Sequence, residues 1–446
     1  MVAEGVEFFA STDHDYVVDY APTVELLGME QWVQTAVGNE VTTIEVGHFL
    51  GFPLQGDFVA EAGANRDAMD WTDRKPGEII DNLRSLGESA GKDPMVFVGH
   101  PRDGILGYFD EYGFDPYSGT PGRGGEPGQA SIETPILGFT NTLLAADNFT
   151  WDFDGLELLN GKRFELIRTP TQRELNEFAA GGDVDVYDMM SRTMAEQDEL
   201  VDGVYKLGYG IEGHVDDWFS LLNLGFKYTV LGNSDTHGTT SVESGCPRNF
   251  IMSPETDDPA FIDDQAMADA VKEHRVVASY GPFVQFWIDD AIIGDELVPK
   301  GDSVQIEIEV QAPTWIAVDR VELYENGSLL QEWDVDAKSD VLRFSEKIDV
   351  SPTKDSWYVV VAMGDGDMAP VFTPVEIPYI ELQSVVTEAL GGISAVSTLL
   401  SPAVPIPKEY KIRPYAITNP IWLDLDGDGF DAPGLPDWLS KPEEPV

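Results

Sequence analysis

Six histidines are spread along this 446-residue chain, and four share one setting. His14 stands in Ser11-Thr-Asp-His-Asp15, just after the apolar run Val6–Ala10. His48 stands in Gly47-His-Phe49, a few residues beyond the strand expected at Glu40. His100 follows Val96-Phe-Val-Gly and precedes Pro101-Arg102, and His237 closes Leu231-Gly-Asn-Ser-Asp-Thr-His237. Each is expected at or just past a strand C-terminus, where α/β folds gather their chemistry. Asp235 and His237 are two apart, so an extended segment points them the same way. Imidazoles and carboxylates collected there suit Zn, Mn or Fe. His214 and His274 read as structural or surface residues.

A second pattern closes the chain. Asp424-Leu-Asp426-Gly-Asp428-Gly429 offers hard oxygens on alternate residues and then a glycine for a turn, the first half of a calcium loop. Leu435 occupies the place of the usual distal bidentate Glu, and Asp437 is a misplaced substitute. Asp424, Asp426 and Asp428 are therefore candidate Ca²⁺ ligands or a plain acidic turn.

The elements that must position these residues follow from periodicity. Val6–Ala10, Glu40–Ile44, Met95–Val98, Gly155–Leu159, Tyr228–Leu231 and Val276–Ser279 read as buried strands. Helical patterns lie between them over Pro76–Ala90, Thr171–Ala180 and Val184–Leu207, with Pro76 and Glu78 suited to a first turn. This βα rhythm predicts an α/β unit over 1–285, a parallel sheet or barrel. Within it, Gly104–Ile136 lacks period and reads as a long loop, either a cover or an insertion. Residues 286–380 predict an all-β sandwich: Ser303–Val310 alternates with period two, and Val321–Tyr324, Ser328–Glu332, Leu342–Ile348 and Trp357–Met363 follow. Residues 381–446 read as a linker and acidic tail, with a candidate helix at Val385–Leu400 and a proline-rich stretch at Ser401–Pro414.

Composition narrows the function classes. Lys and Arg total 27 against 80 Asp and Glu, a net charge of −53, yet 42% of residues are hydrophobic. The acid is added to a real core. Such a charge excludes DNA or RNA phosphates and anionic membranes as partners, and leaves a small molecule as the expected substrate. One cysteine, Cys246, excludes an internal disulfide framework. The most apolar stretch, Ala389–Ile406, is broken by Gly391, Gly392, Pro402 and Pro405, so no membrane insertion is expected. Met1 opens no basic region of the kind that starts a signal peptide.

Thr12-Asp13-His14, Gly38-Asn39-Glu40, Gly99-His100-Pro101 and Ser234-Asp235-Thr236-His237 resemble successive motifs of the polymerase and histidinol phosphatase (PHP) superfamily. Glu40-Val-Thr-Thr43, Gly47-His-Phe49, His100-Pro-Arg102, Leu159-Asn-Gly161 and Gly232-Asn-Ser-Asp235 resemble its CehA/McbA-type metallohydrolases, which cleave carbamate and amide bonds. The resemblance covers residues 1–285 and extends loosely into the β domain, with Gly281-Pro-Phe283 as the junction. It implies a distorted (β/α)7 barrel with two or three divalent metals. Its ligands would be His14, Glu40, His48, His100, Asp235 and His237, with Glu40 bridging and a metal-bound hydroxide as nucleophile. Arg102 would stabilise an oxyanion or pair with Asp103 and other nearby acids. Asn160 and Asn233 would orient ligands or substrate.

The superfamily opens on a His-x-His strand, which Met1-Val-Ala-Glu-Gly does not supply. The chain is therefore expected to be N-terminally truncated, and an exported, periplasmic or extracellular, setting is expected for the natural protein. A metal held by Glu40, His48 and His100 would keep its ligands, and one needing the missing pair would keep only Glu40 and Asp235. The expected function of the natural protein is hydrolysis of a small amide, carbamate or ester, with this chain expected to be weakly active or inactive. The alternatives are a PHP-type phosphoesterase and a secreted, calcium-stiffened binding module with an inactive barrel.

Overall fold

The computed structural model describes residues 1–43, 46–55, 71–116, 118–121, 142–164, 167–168, 213–237, 243–253, 256, 258–336, 340–376 and 409–435. The helices expected over 171–180, 184–207 and 385–400 lie outside these residues, as do Asp437 and the later part of the 104–136 segment. The described residues form a mixed α/β fold, with several sheets and more strand than helix. Among the described residues no helix is long and apolar enough to cross a membrane.

Two strands, β1 (Phe8–Ser11) and β2 (Gln34–Val37), pair in parallel. Five more form one sheet in chain order: β3 (Asn39–Thr42), β4 (His48–Phe52), β5 (Met95–Val98), β6 (Gly155–Asn160) and β7 (Thr229–Asn233). β4, β5 and β6 are buried at every position, as continuous apolar runs between two covered faces require. The expected parallel order holds for β5, β6 and β7. β4 is the exception and runs antiparallel to both neighbours. The five residues between Thr42 and His48 allow a hairpin but no crossover.

The described helices are α1 (Ala21–Leu27), α2 (Pro76–Glu88), α3 (Tyr108–Glu111), α4 (His214–Asn223) and α5 (Asp264–Lys272). α2 starts as its sequence suggests: Pro76 sits in the first turn and the Lys75 N–H donates to Glu78 Oε2 at 2.9 Å. It buries Ile79, Ile80 and Leu83, a stripe at helical spacing. α3 turns the start of the expected loop into buried structure, with Tyr108 and Phe109 fully enclosed.

One sheet runs through all three segments distinguished by composition. β8 (Arg248–Ile251) pairs with β9 (Val276–Ser279), β9 with Tyr415–Thr418, and that strand with Ser356–Met363. Tyr415–Thr418 and Ile421–Leu423 are buried strands, although their surroundings read as a tail. Asn419 locks this join. Its Oδ1 accepts the Val230 N–H at 2.9 Å, and its Nδ2 donates to the Val230 and Val276 carbonyls at 3.0 and 2.9 Å. A second, antiparallel sheet carries Phe283–Ile288, Val304–Gln311 and Leu342–Val350. Val304, Ile306, Ile308 and Val310 point inward as the period predicted. The Asn326-Gly327 turn joins Arg320–Glu325 to Ser328–Asp334 with both φ angles positive, the geometry this dipeptide favours in a two-residue hairpin.

Candidate metal centre

β3, β5, β6 and β7 run in one direction and end on one edge of the sheet. The reversed β4 begins there, so His48 is the first residue of its strand and not a residue beyond a strand end. Its register, Thr42 opposite His48, still brings it to the common edge. Gly47 is required just before it: φ is +91°, and a Cβ would lie 2.6 Å from Tyr108 N.

Three of the expected ligands form a buried cluster. Glu40 Oε1 lies 2.8 Å from His48 Nδ1 and 3.8 Å from His100 Nε2, and these two nitrogens are 3.1 Å apart. The ligand atoms all lie within 4.8 Å of one another. Glu40 Oε1 is enclosed yet makes no aligned hydrogen bond. Two imidazole nitrogens and a carboxylate oxygen this close together could hold a transition-metal ion.

The electrostatics agree with a tightly coupled trio. Burial disfavours charge on Glu40, but the close imidazoles of His100 and His48 outweigh it and hold the carboxyl below its usual range. Burial also opposes charge on His100, yet Glu40, Asp103 and Glu157 raise it to about 10. For His48 burial prevails, and its pKa is lowered.

His14 and His237 meet on the more exposed side. Their Nε2 atoms are 2.6 Å apart and their rings stack with centroids at 4.8 Å. His14 pairs with Glu40 through an isolated parallel bridge, and its Nδ1 lies 2.6 Å from Thr42 Oγ1 and 3.4 Å from Glu40 Oε2. Glu40 thus turns one oxygen to His48 and His100 and the other to His14. Asp235 stands beside His237, with its Oδ1 3.5 Å from His237 Nδ1.

Arg102 is engaged elsewhere. Its Nε and Nη2 fork onto both oxygens of Asp217 in α4 at 2.7 Å, Nη1 donates to Asp110 at 3.3 Å, and Nη2 also donates to the Phe114 carbonyl at 3.0 Å. Of the two roles open to it, the geometry gives the salt bridge, with Asp217 and Asp110 as partners. Asp103 pairs with Arg163 at 2.7 Å.

Asn160 and Asn233 both donate to Glu157, at 2.9 Å each. Glu157 was not among the expected site residues. Its signal was a carboxylate inside the apolar run Gly155-Leu-Glu-Leu-Leu159, since an acid in a buried strand needs partners. Burial raises its pKa to about 7, with the His100 charge opposing and Asp235 adding.

His214 is buried and structural, as expected. Its Nδ1 lies 2.8 Å from the Leu158 carbonyl and its Nε2 accepts the Arg102 N–H at 3.3 Å, so only the neutral Nδ1–H ring satisfies both. Burial lowers its pKa from 6.5 to about 3. The unfolded chain therefore takes up a proton below pH 6.5 that the folded chain refuses. Stability from this residue is present above pH 6.5 and drains away as pH falls towards 3. Thermal melts from pH 7 to 4 should show His214→Asn losing less stability than the native chain, by on the order of 3 kcal/mol across that window. Parallel curves would assign the acid sensitivity to other groups.

In the C-terminal motif, Asp424, Asp426 and Asp428 also bring carboxylate oxygens together. Asp424 already accepts the Gly427 and Gly429 N–H groups at 2.7 and 2.9 Å, so a well-formed acidic turn accounts for its geometry. Comparison of the chain with protein-family models, with curated proteins and with solved structures gave no match.

Proposed function

We propose that the chain is a metal-dependent hydrolase of the PHP type, close to the CehA/McbA branch, acting on a small amide, carbamate or ester. The observation that carries this reading is the divided Glu40 carboxylate, with His48 and His100 on one oxygen and His14, stacked on His237, beside the other. Glu40, His48 and His100 would hold one metal. His14 and His237, with Asp235 alongside, are the proposed ligands of a further metal, His14 turning Nε2 to His237 and Nδ1 to Glu40. Divalent metal in such a site lowers the pKa of bound water and polarises a carbonyl. The co-directional strands ending at this edge support a distorted barrel as the framework.

The surrounding charges favour a carbonyl substrate over a phosphate ester. Arg102 is held by Asp217, Lys162 by Glu243 and the Thr373 carbonyl, Arg163 by Asp103, and Arg248 by the Gly245 and Glu4 carbonyls. A phosphoryl substrate calls for cations aimed at its oxygens, and these four are committed to the protein.

The test is metal analysis of the purified chain, then chelation, reloading with Zn²⁺, Mn²⁺ or Fe²⁺, and assay on aryl esters, carbamates, anilides and phosphate esters. Bound transition metal, with weak ester or carbamate turnover that is lost on chelation and restored by metal, is the expected result. Turnover of phosphate esters alone would replace this reading with a phosphoesterase. Absence of transition metal, with calcium-dependent melting, would replace it with a binding module.

A further inference from the structure

We propose that Glu157 is a positioning residue that fixes the His100 backbone and thereby aims its imidazole into the metal cluster; this rests on the metal-centre reading above. Glu157 lies in β6, beside β5, and is almost completely enclosed. Its Oε2 accepts the His100 N–H at 2.8 Å and the Asn160 amide at 2.9 Å. Its Oε1 accepts the Asn233 amide at 2.9 Å. Asn233 Oδ1 in turn accepts Asn249 Nδ2 at 3.0 Å, and Asn249 Oδ1 accepts the Gly232 N–H at 2.8 Å. One carboxylate thus ties the ends of β5, β6 and β7 together, with β8 behind them.

His100 needs such a tie. Its φ is +24°, which an L-residue adopts only when its surroundings impose it. The residue before it packs against the end of the Leu50 side chain, which would have to move for a Cβ on Gly99, 2.6 Å from Leu50 Cδ1. A buried acceptor on the His100 N–H holds this backbone in place, and the side chain it projects reaches Glu40 and His48. Asn160 and Asn233 act through Glu157: their amide nitrogens donate to its carboxylate.

Cobalt titration of the metal-free chain tests this, followed by visible absorption. Glu157→Leu keeps bulk and removes the acceptor, whereas Glu157→Asp keeps the charge and shortens the reach. Glu157→Gln keeps one oxygen for His100 and Asn160. The Co²⁺ dissociation constant should rise ~10–100-fold in Glu157→Leu and Glu157→Asp, with an altered spectrum, and stay within about threefold of native in Glu157→Gln. If Glu157→Leu does not fold, Glu157→Asp carries the test. Native affinity and spectrum in Glu157→Asp and in any folded Glu157→Leu would overturn the inference and leave the metal centre standing. Failure of the native chain to bind Co²⁺ would overturn both.

Discussion

Glu40→Ala should abolish tight transition-metal binding, weakening it by more than the ~100-fold that loss of an outer partner costs. Both carboxylate oxygens are committed to imidazoles, Oε1 towards His48 and His100 and Oε2 towards His14. Removing them leaves His48 and His100 buried together without their anion. His237→Ala offers the contrast. It touches only the half-exposed side, so it should lower the metal content by one position and spare the buried one. Metal-to-protein ratios after dialysis distinguish the two variants. Glu40→Ala protein with the native ratio would remove Glu40 from the centre.

Asp217→Ala should destabilise the chain by about 3–5 kcal/mol, the cost of leaving one member of a buried pair behind. Arg102 would keep Asp110 and the Phe114 carbonyl but lose the two 2.7 Å bonds that fix its fork. The rings of Phe109 and Phe114, each 5.7 Å from the guanidinium carbon, close the space around it. Denaturant melts measure the loss. Activity per folded chain should hold, because the pair braces α4 against the loop after β5. A fall in kcat with full folding and full metal content would instead give Arg102 a role in the reaction.

The strands were legible because each is an apolar run bounded by turn residues. β5 and β9 coincide with the expected runs, and β6 and β7 differ from theirs only at the ends. The reversal of β4 was not legible, since Thr43-Ile-Glu-Val-Gly47 continues the apolar character of β3 and hides the hairpin. Of the clustered histidines, His14, His100 and His237 were marked by following strand ends, whereas His48 begins its strand. Their supporting carboxylates carried no such mark. Asp217 meets Arg102 across 115 positions and Glu157 meets the His100 backbone across 57, and no local period marks a contact of that span. Tyr415-Ala-Ile-Thr418 was masked by the prolines and acids around it, although its apolar content is that of a strand.

The Asn419 lock has a consequence for biosynthesis. Its partner Val230 lies 189 positions earlier, in β7 of the five-stranded sheet. At ~5–20 residues per second, roughly 10–40 s separate the emergence of the two from the ribosome. Throughout that interval β9 waits with the edge that Tyr415–Thr418 will cover still open. An open edge invites pairing with the wrong strand, in the same nascent chain or in a neighbour on the same message. The join that Asn419 makes between the sheets of β7 and β9 is therefore completed late, long after Val230 itself has been made.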